Sequence, residues 1–261
     1  MYLYVYDSFL VERRFERELA AVEARLVDLG LSGRISRLTA FNNARGIIRD
    51  EARRGLQTIV AVGDDETVAK VIDGLGDTAV TLGLIPVGQS LSIADALGIP
   101  AGAEACETLS RRVAQRVDLG SANGHLFLSE SRLVGEGITA ETDGRFRLTV
   151  LSPGAEIVVS NLRNRAMAAG LAPVRAGDPM DGLLDLMVVN RGRPGLLGRW
   201  REEVDVTVIP TVRASFSAAQ PFSVTCDGRE FTTDSLAVSI VPDRLKIITG
   251  KERLFEAESG A

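Results

Sequence analysis

The sequence predicts an α/β protein in which an open, mostly parallel sheet flanked by helices is followed by an antiparallel, β-sandwich-like domain. Two observations predict the first half. Between Ile59 and Ala94 the chain twice runs as an apolar strand, a polar turn and a helix, and two such units side by side make a parallel sheet, Rossmann-like, with its loops on one edge. Ahead of them, two more strand-like runs each lead into an amphipathic helix. The third observation predicts the second half: soon after Pro100 helical signals nearly vanish, and short strand-like runs separated by Gly, Pro, Asn and Asp take over, the spacing of an antiparallel sandwich.

In order, Tyr2 to Tyr6 reads as the first strand, followed by a helix from about Ser8 with Phe15, Leu19, Val22, Leu26 and Leu29 on one face and Gly30 as its stop. Arg34 to Leu38 is a second strand. Asn42 to Arg54 is a second helix, with Ala44, Ile47, Ile48 and Ala52 inward and Gly55 at its end. Ile59 to Val62 runs to Gly63, after which Val68, Val71, Ile72 and Leu75 recur at helical spacing. Val80 to Pro86 runs to Gly88, and Ile93, Ala94 and Leu97 resume a helical period ending at Gly98. A helix from about Ala103 to Gln115 turns Ala105, Leu109 and Val113 inward. Beyond it, strands are expected at residues 126–128, 132–134, 146–150, 157–161, 183–189, 204–208, 212–216, 222–226, 236–240 and 245–248, with one short helix at 194–203. The expected division is an α/β domain over residues 1–100, a β-rich domain over 101–250 and a frayed tail over 251–261.

Composition narrows the function classes. Hydrophobic content of 45%, charged content of 25%, 26 glycines and 9 prolines are those of a globular chain rather than a disordered one. A formal charge of −5 gives no support for nonspecific nucleic-acid binding, which needs dense Lys and Arg against phosphates. Cys106 and Cys226 lie far apart with no second Cys or His nearby, so they read as reduced core residues, not as a metal or redox motif. His125 is the only histidine and reads as a strand residue, so any proton transfer falls to carboxylates. No apolar run reaches about 18 residues and the N-terminus lacks a basic region, so a cytoplasmic address is the expectation.

In open α/β sheets ligands bind outside the carboxyl ends of strands, where helix N-termini offer unpaired N–H groups to anions. That directs attention to Gly63–Thr67 and Gly88–Ser92. The block Gly63-Asp64-Asp65-Glu66-Thr67, running on to Gly74, resembles the Gly-Gly-Asp-Gly-Thr block of the bacterial diacylglycerol and sphingosine kinase-like lipid kinases, a superfamily shared with NAD kinases. Pro86-Val87-Gly88-Gln89-Ser90-Leu91-Ser92 is similar to that family's Pro-Leu-Gly-Thr-Gly-Asn-Asp loop. Asp118-Leu119-Gly120, Asp181-Gly182-Leu183-Leu184-Asp185 and Cys226-Asp227-Gly228-Arg229 resemble three further family blocks, in family order.

The resemblance implies an ATP-dependent lipid kinase that phosphorylates the hydroxyl of a diacylglycerol-like lipid with Mg²⁺. It implies Gly63, Asp65, Thr67 and Gly88 at the nucleotide phosphates, Asp227 as general base, and metal positions at Asp185, away from the phosphates, and at Asp65. It also implies peripheral contact with a membrane at its inner face; a homodimer is left open. Several positions depart from the family: Asp64 and Glu66 replace glycines, Leu91 and Ser92 replace Asn and Asp, and Arg229 replaces Glu. A carboxylate about 5 Å from a phosphate charge costs roughly 3 kcal/mol at an effective dielectric of about 20. Either a divalent ion offsets that repulsion, or the acidic residues only cap a helix start. Likewise Asp227-Gly228, read alone, is a hairpin turn, and Asp185 a turn carboxylate. The alternative to a kinase is therefore a non-catalytic member of the same fold that binds lipid or nucleotide.

Overall fold

Three short apolar runs and one polar run at the edge form the parallel part of the sheet in the computed structural model, which describes residues 1–39, 43–76, 78–144, 146–150, 156–162, 177–191 and 204–255. These strands are β1 (Tyr2–Tyr6), β2 (Gly33–Arg37), β3 (Thr58–Gly63) and β4 (Thr81–Pro86). They pair in parallel in the order β2-β1-β3-β4. The helices between them are α1 (Glu16–Asp28), α2 (Ala44–Ala52), α3 (Asp65–Leu75), α4 (Ser92–Ala96) and α5 (Ala105–Arg111). The first three bury most of their predicted stripes: Leu19, Val22 and Leu26 on α1, Ile47 and Ile48 on α2, and Val68, Val71, Ile72 and Leu75 on α3. Mixed α/β architecture followed by an antiparallel, strand-rich region is therefore the observed fold class.

Two helix bounds differ from expectation. The first helix begins at Glu16 rather than near Ser8, because the Asp7 carboxylate accepts Ser8 N–H and Glu12 is extended, so the intervening residues close two short 3-10 turns instead. The helix expected to reach Gln115 stops at Arg111. Arg112 takes a left-handed conformation (φ 54°), Val113 is 49% exposed rather than inward, and the chain turns at once into a strand.

That strand, β5 (Ala114–Ala122), leads into the antiparallel part: β6 (His125–Phe127), β7 (Glu130–Val134), β8 (Thr139–Thr142), β9 (Phe146–Thr149), β10 (Glu156–Ser160), β11 (Leu184–Arg191) and β12 (Val204–Thr211). Two long strands, β13 (Arg213–Cys226) and β14 (Arg229–Ile248), complete it. Sequence reading split each of these in two, since polar and turn-forming residues interrupt the apolar pattern. In the structure a register shift between Ser217 and Phe222 absorbs the interruption in β13 without ending it. β8 was not foreseen at all. The segment expected as a helix at 194–203 lies outside the described residues.

The chain divides into two compact units, Met1–Val117 with Asp243–Ala261, and Asp118–Pro242. This differs from a division at residue 100 because the end of β14 returns to the first unit, where Lys246 and Ile247 pair in parallel with Thr81 and Leu82. The core of the second unit gathers Phe127, Leu133, Val159, Leu186, Phe216, Phe222, Val224 and Cys226. Cys106 and Cys226 are both buried, and His125 lies on β6 against the ring of Phe231.

The return of the chain depends on Gly250. Its N–H donates to Leu97 O (2.8 Å) and Leu254 N–H to Ala96 O (2.9 Å), while a Cβ at Gly250 would collide with the Gly98 carbonyl. Because backbone meets backbone, relief requires moving the segment, so Gly250→Ala is expected to destabilise by about 3 kcal/mol, the upper end for overpacking. Chemical denaturation of the variant checks this.

Candidate functional site

The carboxyl ends of β3 and β4 hold the two turns singled out in the sequence, each entered through a glycine in the left-handed region, Gly63 (φ 153°) and Gly88 (φ 130°). A Cβ at Gly63 would collide with the Thr67 side chain, and one at Gly88 would press on Asp64 Cβ at 3.2 Å and the Phe9 ring at 3.3 Å. Both glycines thus let neighbouring protein atoms close in. The space beside them is filled from within the chain.

The acidic residues of the first turn each have a partner. Asp64 is the N-cap of α3: its Oδ1 accepts Thr67 N–H (3.2 Å) and its own N–H donates to Thr67 Oγ1 (3.2 Å), a capping box. Asp65 is buried and serves the other turn. Its Oδ2 accepts Ser90 Oγ–H (2.9 Å), Ser92 N–H (2.9 Å) and Ser92 Oγ–H (2.6 Å), and its Oδ1 accepts Ile93 N–H (3.0 Å). In return Asp65 N–H donates to Ser90 O at 2.9 Å. Glu66 pairs with Lys70 one turn along the helix (3.1 Å). The serines at 90 and 92 are therefore ligands for Asp65, which the sequence did not disclose.

One participant was missed altogether. Asp7, at the end of β1, is 2% exposed; it accepts from Thr67 Oγ1 and Lys70 Nζ, both at 3.0 Å, and from Ser8 N–H at 2.6 Å. The signal was a carboxylate at the carboxyl end of an apolar strand, where site loops gather. Burial pushes the Asp7 carboxyl up, but the hydrogen bond and charge of Lys70, with the Thr67 and Ser8 bonds, outweigh it and hold it below the usual carboxylate range. Burial pulls Lys70 down, and its bonds to Asp7 and Glu66 more than reverse that.

The second unit uses the same device at Asp227. This residue opens the β13–β14 turn in a left-handed conformation (φ 44°), buried. Its Oδ2 accepts Leu128 N–H (2.6 Å) and its Oδ1 accepts Ser129 N–H (3.0 Å) and Glu130 N–H (2.9 Å), so the carboxylate sits in a nest of three backbone donors. Asn161, fully buried, ties that nest to β5. Its Nδ2 donates to Leu128 O (2.8 Å) and Asp118 O (3.0 Å), and its N–H to Ser129 O (2.8 Å). Arg163 and Arg165, which follow it, lie outside the described residues.

Asp185, the other carboxylate marked for metal, is buried at the start of β11 and accepts Gly177 N–H at 2.6 Å. Burial pushes its carboxyl up. Burial does the same to Asp181, helped by the charges of Asp178, Asp185 and Asp118 against the Leu183 N–H bond. A divalent ion would relieve that repulsion, and Asn161 Oδ1 is buried without a hydrogen-bond partner among the described residues. Even so, among the described residues no three His, Cys, Asp or Glu side chains are grouped to hold a metal. The fit to a cation is thus one of charge, with carbonyls needed to complete it. At Asp65 the fit fails, since four donors already occupy its oxygens.

Against known proteins, residues 3–122 match the family described as "Diacylglycerol kinase catalytic domain". The chain is 34% identical over 129 residues to "Diacylglycerol kinase" of Bacillus subtilis, covering 48% of this chain and 43% of that protein, less than half its length. It is 27% identical over 245 residues to "Probable lipid kinase YegS-like" of Pseudomonas aeruginosa, covering 78% and 80%. Among solved structures, a diacylglycerol kinase from Bacillus anthracis superposes with a TM-score of 0.75 at 18% identity, covering 97% of this chain and 98% of that one. No helix among the described residues is long and apolar enough to cross a membrane.

The two buried carboxylates titrate in opposite senses. The folded state holds Asp7 below its unfolded value of about 3.9, so its contribution is present above that pH and is lost as pH falls through the folded value. Asp7→Asn should therefore flatten the acid limb of a stability-versus-pH curve below about pH 4. Asp185 is held up, so its ionised form costs stability as pH rises. In buffer containing a metal chelator, Asp185→Asn is expected to raise the melting temperature at neutral pH, and a lower one would contradict the assignment.

Proposed function

We propose that this chain, which belongs to the diacylglycerol kinase-like lipid kinase family, binds a diacylglycerol-like lipid at a membrane surface without transferring phosphate to it. Membership of a kinase family implies ATP use, and the reading offered is that this chain has lost it. One observation carries the reading: four backbone N–H groups and two serine hydroxyls at the two turns are already taken by the chain's own acceptors. Asp65 N–H goes to Ser90 O, Thr67 N–H to Asp64, and Ser92 and Ile93 N–H to Asp65. A phosphate arriving there meets occupied donors and the charges of Asp64, Asp65 and Glu66, of which Lys70 offsets part. Removing Asp65 from its donors would leave a buried carboxylate short of partners, a cost of about 1–3 kcal/mol for each unmade bond.

A second reading is an active Mg²⁺- and ATP-dependent lipid kinase, favoured by one observation in the second unit. Asp227 is held rigidly by three backbone donors, as a positioned base must be. Phosphoryl transfer asks a protein chiefly for positioning, a divalent ion and a base, so a single histidine is no obstacle. In that reading Mg²⁺ would screen the phosphate charge and Asp227 would take the proton of the lipid hydroxyl.

Thermal unfolding with Mg²⁺, with ATP, and with both separates the readings. A ligand at about a hundred times its dissociation constant stabilises by roughly 2.7 kcal/mol. The expected result is no shift for the native chain in any combination and a shift with a short-chain diacylglycerol. Stabilisation of the native chain by that pair, with phosphate transfer abolished by Asp227→Asn, would replace the proposal with the second reading.

A further inference from the structure

We infer that the outer edge of β2 is a self-association surface, on which a second copy of this chain adds its own β2, antiparallel, about a two-fold axis at Ile35. The parallel strands end at β2, which pairs with β1 and, among the described residues, with no other strand. Alternation along the strand divides its backbone between two sides. Leu38 N–H donates to Tyr6 O (2.8 Å), so Leu38, Ser36 and Arg34 turn their peptide groups toward β1. Gly33, Ile35 and Arg37 then turn theirs outward, to where the sheet stops. An edge of this kind is a template for another strand.

Proteins commonly guard such edges with proline, lysine or a bulge. β2, Gly-Arg-Ile-Ser-Arg, has no proline or lysine and pairs with β1 without a bulge, and its two arginines are drawn back over the protein. Arg34 pairs with Glu51 (3.1 Å) on one face, and the Arg37 guanidinium lies over the Tyr6 ring at 5.3 Å on the other. Between them Ile35 stands 55% exposed.

The register names the occupant. When two copies run antiparallel with Ile35 opposite Ile35, Gly33 meets the second copy's Arg37 and Arg34 meets its Ser36, so every outward residue faces an outward residue. Three hydrogen-bonded pairs form, each exchanging two backbone bonds. The isoleucines pack on each other across the axis, each Arg37 passes over a glycine, and no two like charges stand directly opposite. A slip of one residue would set outward groups against inward ones, and a slip of two would keep two of the three pairs and put Arg37 opposite Ile35. A strand that matches itself in this way fits an isologous two-fold contact. A ladder five residues long falls short of the roughly 1,200 Å² of a stable interface, so the pair is expected to exchange with monomer in the micromolar range.

Sedimentation velocity of the full chain, without lipid or nucleotide, from about 1 to about 200 µM tests this. The native chain should shift from monomer toward dimer across that range. Ile35→Lys and Ile35→Glu each set like charges across the axis, and each variant alone should associate about tenfold more weakly. Mixed in equal amounts, the two variants should recover the dimer, because the charges facing each other are then opposite. Ile35 is solvent-facing in the monomer, so unchanged melting temperatures of the dilute variants will verify folding. A native chain that stays monomeric throughout overturns the proposal, as do single variants that associate as the native chain does. A mixture no more associated than its components contradicts the two-fold at Ile35. The lipid and phosphate readings are untouched by any of these results, since melting shifts report on them separately.

Discussion

The carboxylate of Asp65 is the interaction on which the first unit's candidate site depends. It draws four donors from the segment Ser90–Ile93, so the turn after β3 and the turn after β4 are one assembly rather than two facing loops. Bonds between neutral groups contribute about 1 kcal/mol each and those to a charged group about 1.5–3. An acceptor of this kind therefore outweighs any single cap or ion pair nearby. Asp64, Thr67, Asp7 and Lys70 then close the other side of the same turn. A turn whose location suits an anion has been turned into a structural joint.

The second unit repeats the principle with different atoms. Asp227 fills a nest of backbone N–H groups from Leu128 to Glu130, and Asn161 fixes that nest to Asp118. Two of the three aspartates that the family resemblance marked for chemistry, Asp65 and Asp227, are thus strongly held in place. For Asp227 the bonding is compatible with either a catalytic or a purely structural carboxylate. For Asp65 it is not evenly balanced, since a metal or phosphate would have to displace donors that the fold itself uses. That asymmetry is why the proposal retains lipid and sets phosphate transfer aside.

Much of this was legible in the sequence, for identifiable reasons. Strand, turn and helix from Ile59 to Ala94 declared themselves through a change of period from two to 3.6, and the structure reproduces both units. Asp64 as a helix cap was also readable, because a cap and its partner Thr67 lie three residues apart. What could not be read was long-range. The service of Asp65 to Ser92 spans 27 positions and that of Asp7 to Lys70 spans 63, and no local pattern encodes such pairs. The donors to Asp227 are backbone groups, which leave no mark on residue identity. Continuity of β13 through Ser217 to Phe222 was hidden for a related reason: a register shift lets a strand pass through residues that usually end one.

The central claim, that the first turn is closed by its own carboxylates, is tested most directly at the amides it names. Backbone amide resonances of Asp65, Thr67, Ser92 and Ile93 in a labelled sample can be followed while pyrophosphate, and then ATP with Mg²⁺, is titrated in. The account predicts that these four resonances do not move and remain protected from hydrogen exchange throughout. Saturable shifts confined to them would contradict it, because they would mean that the donors open to a phosphate after all.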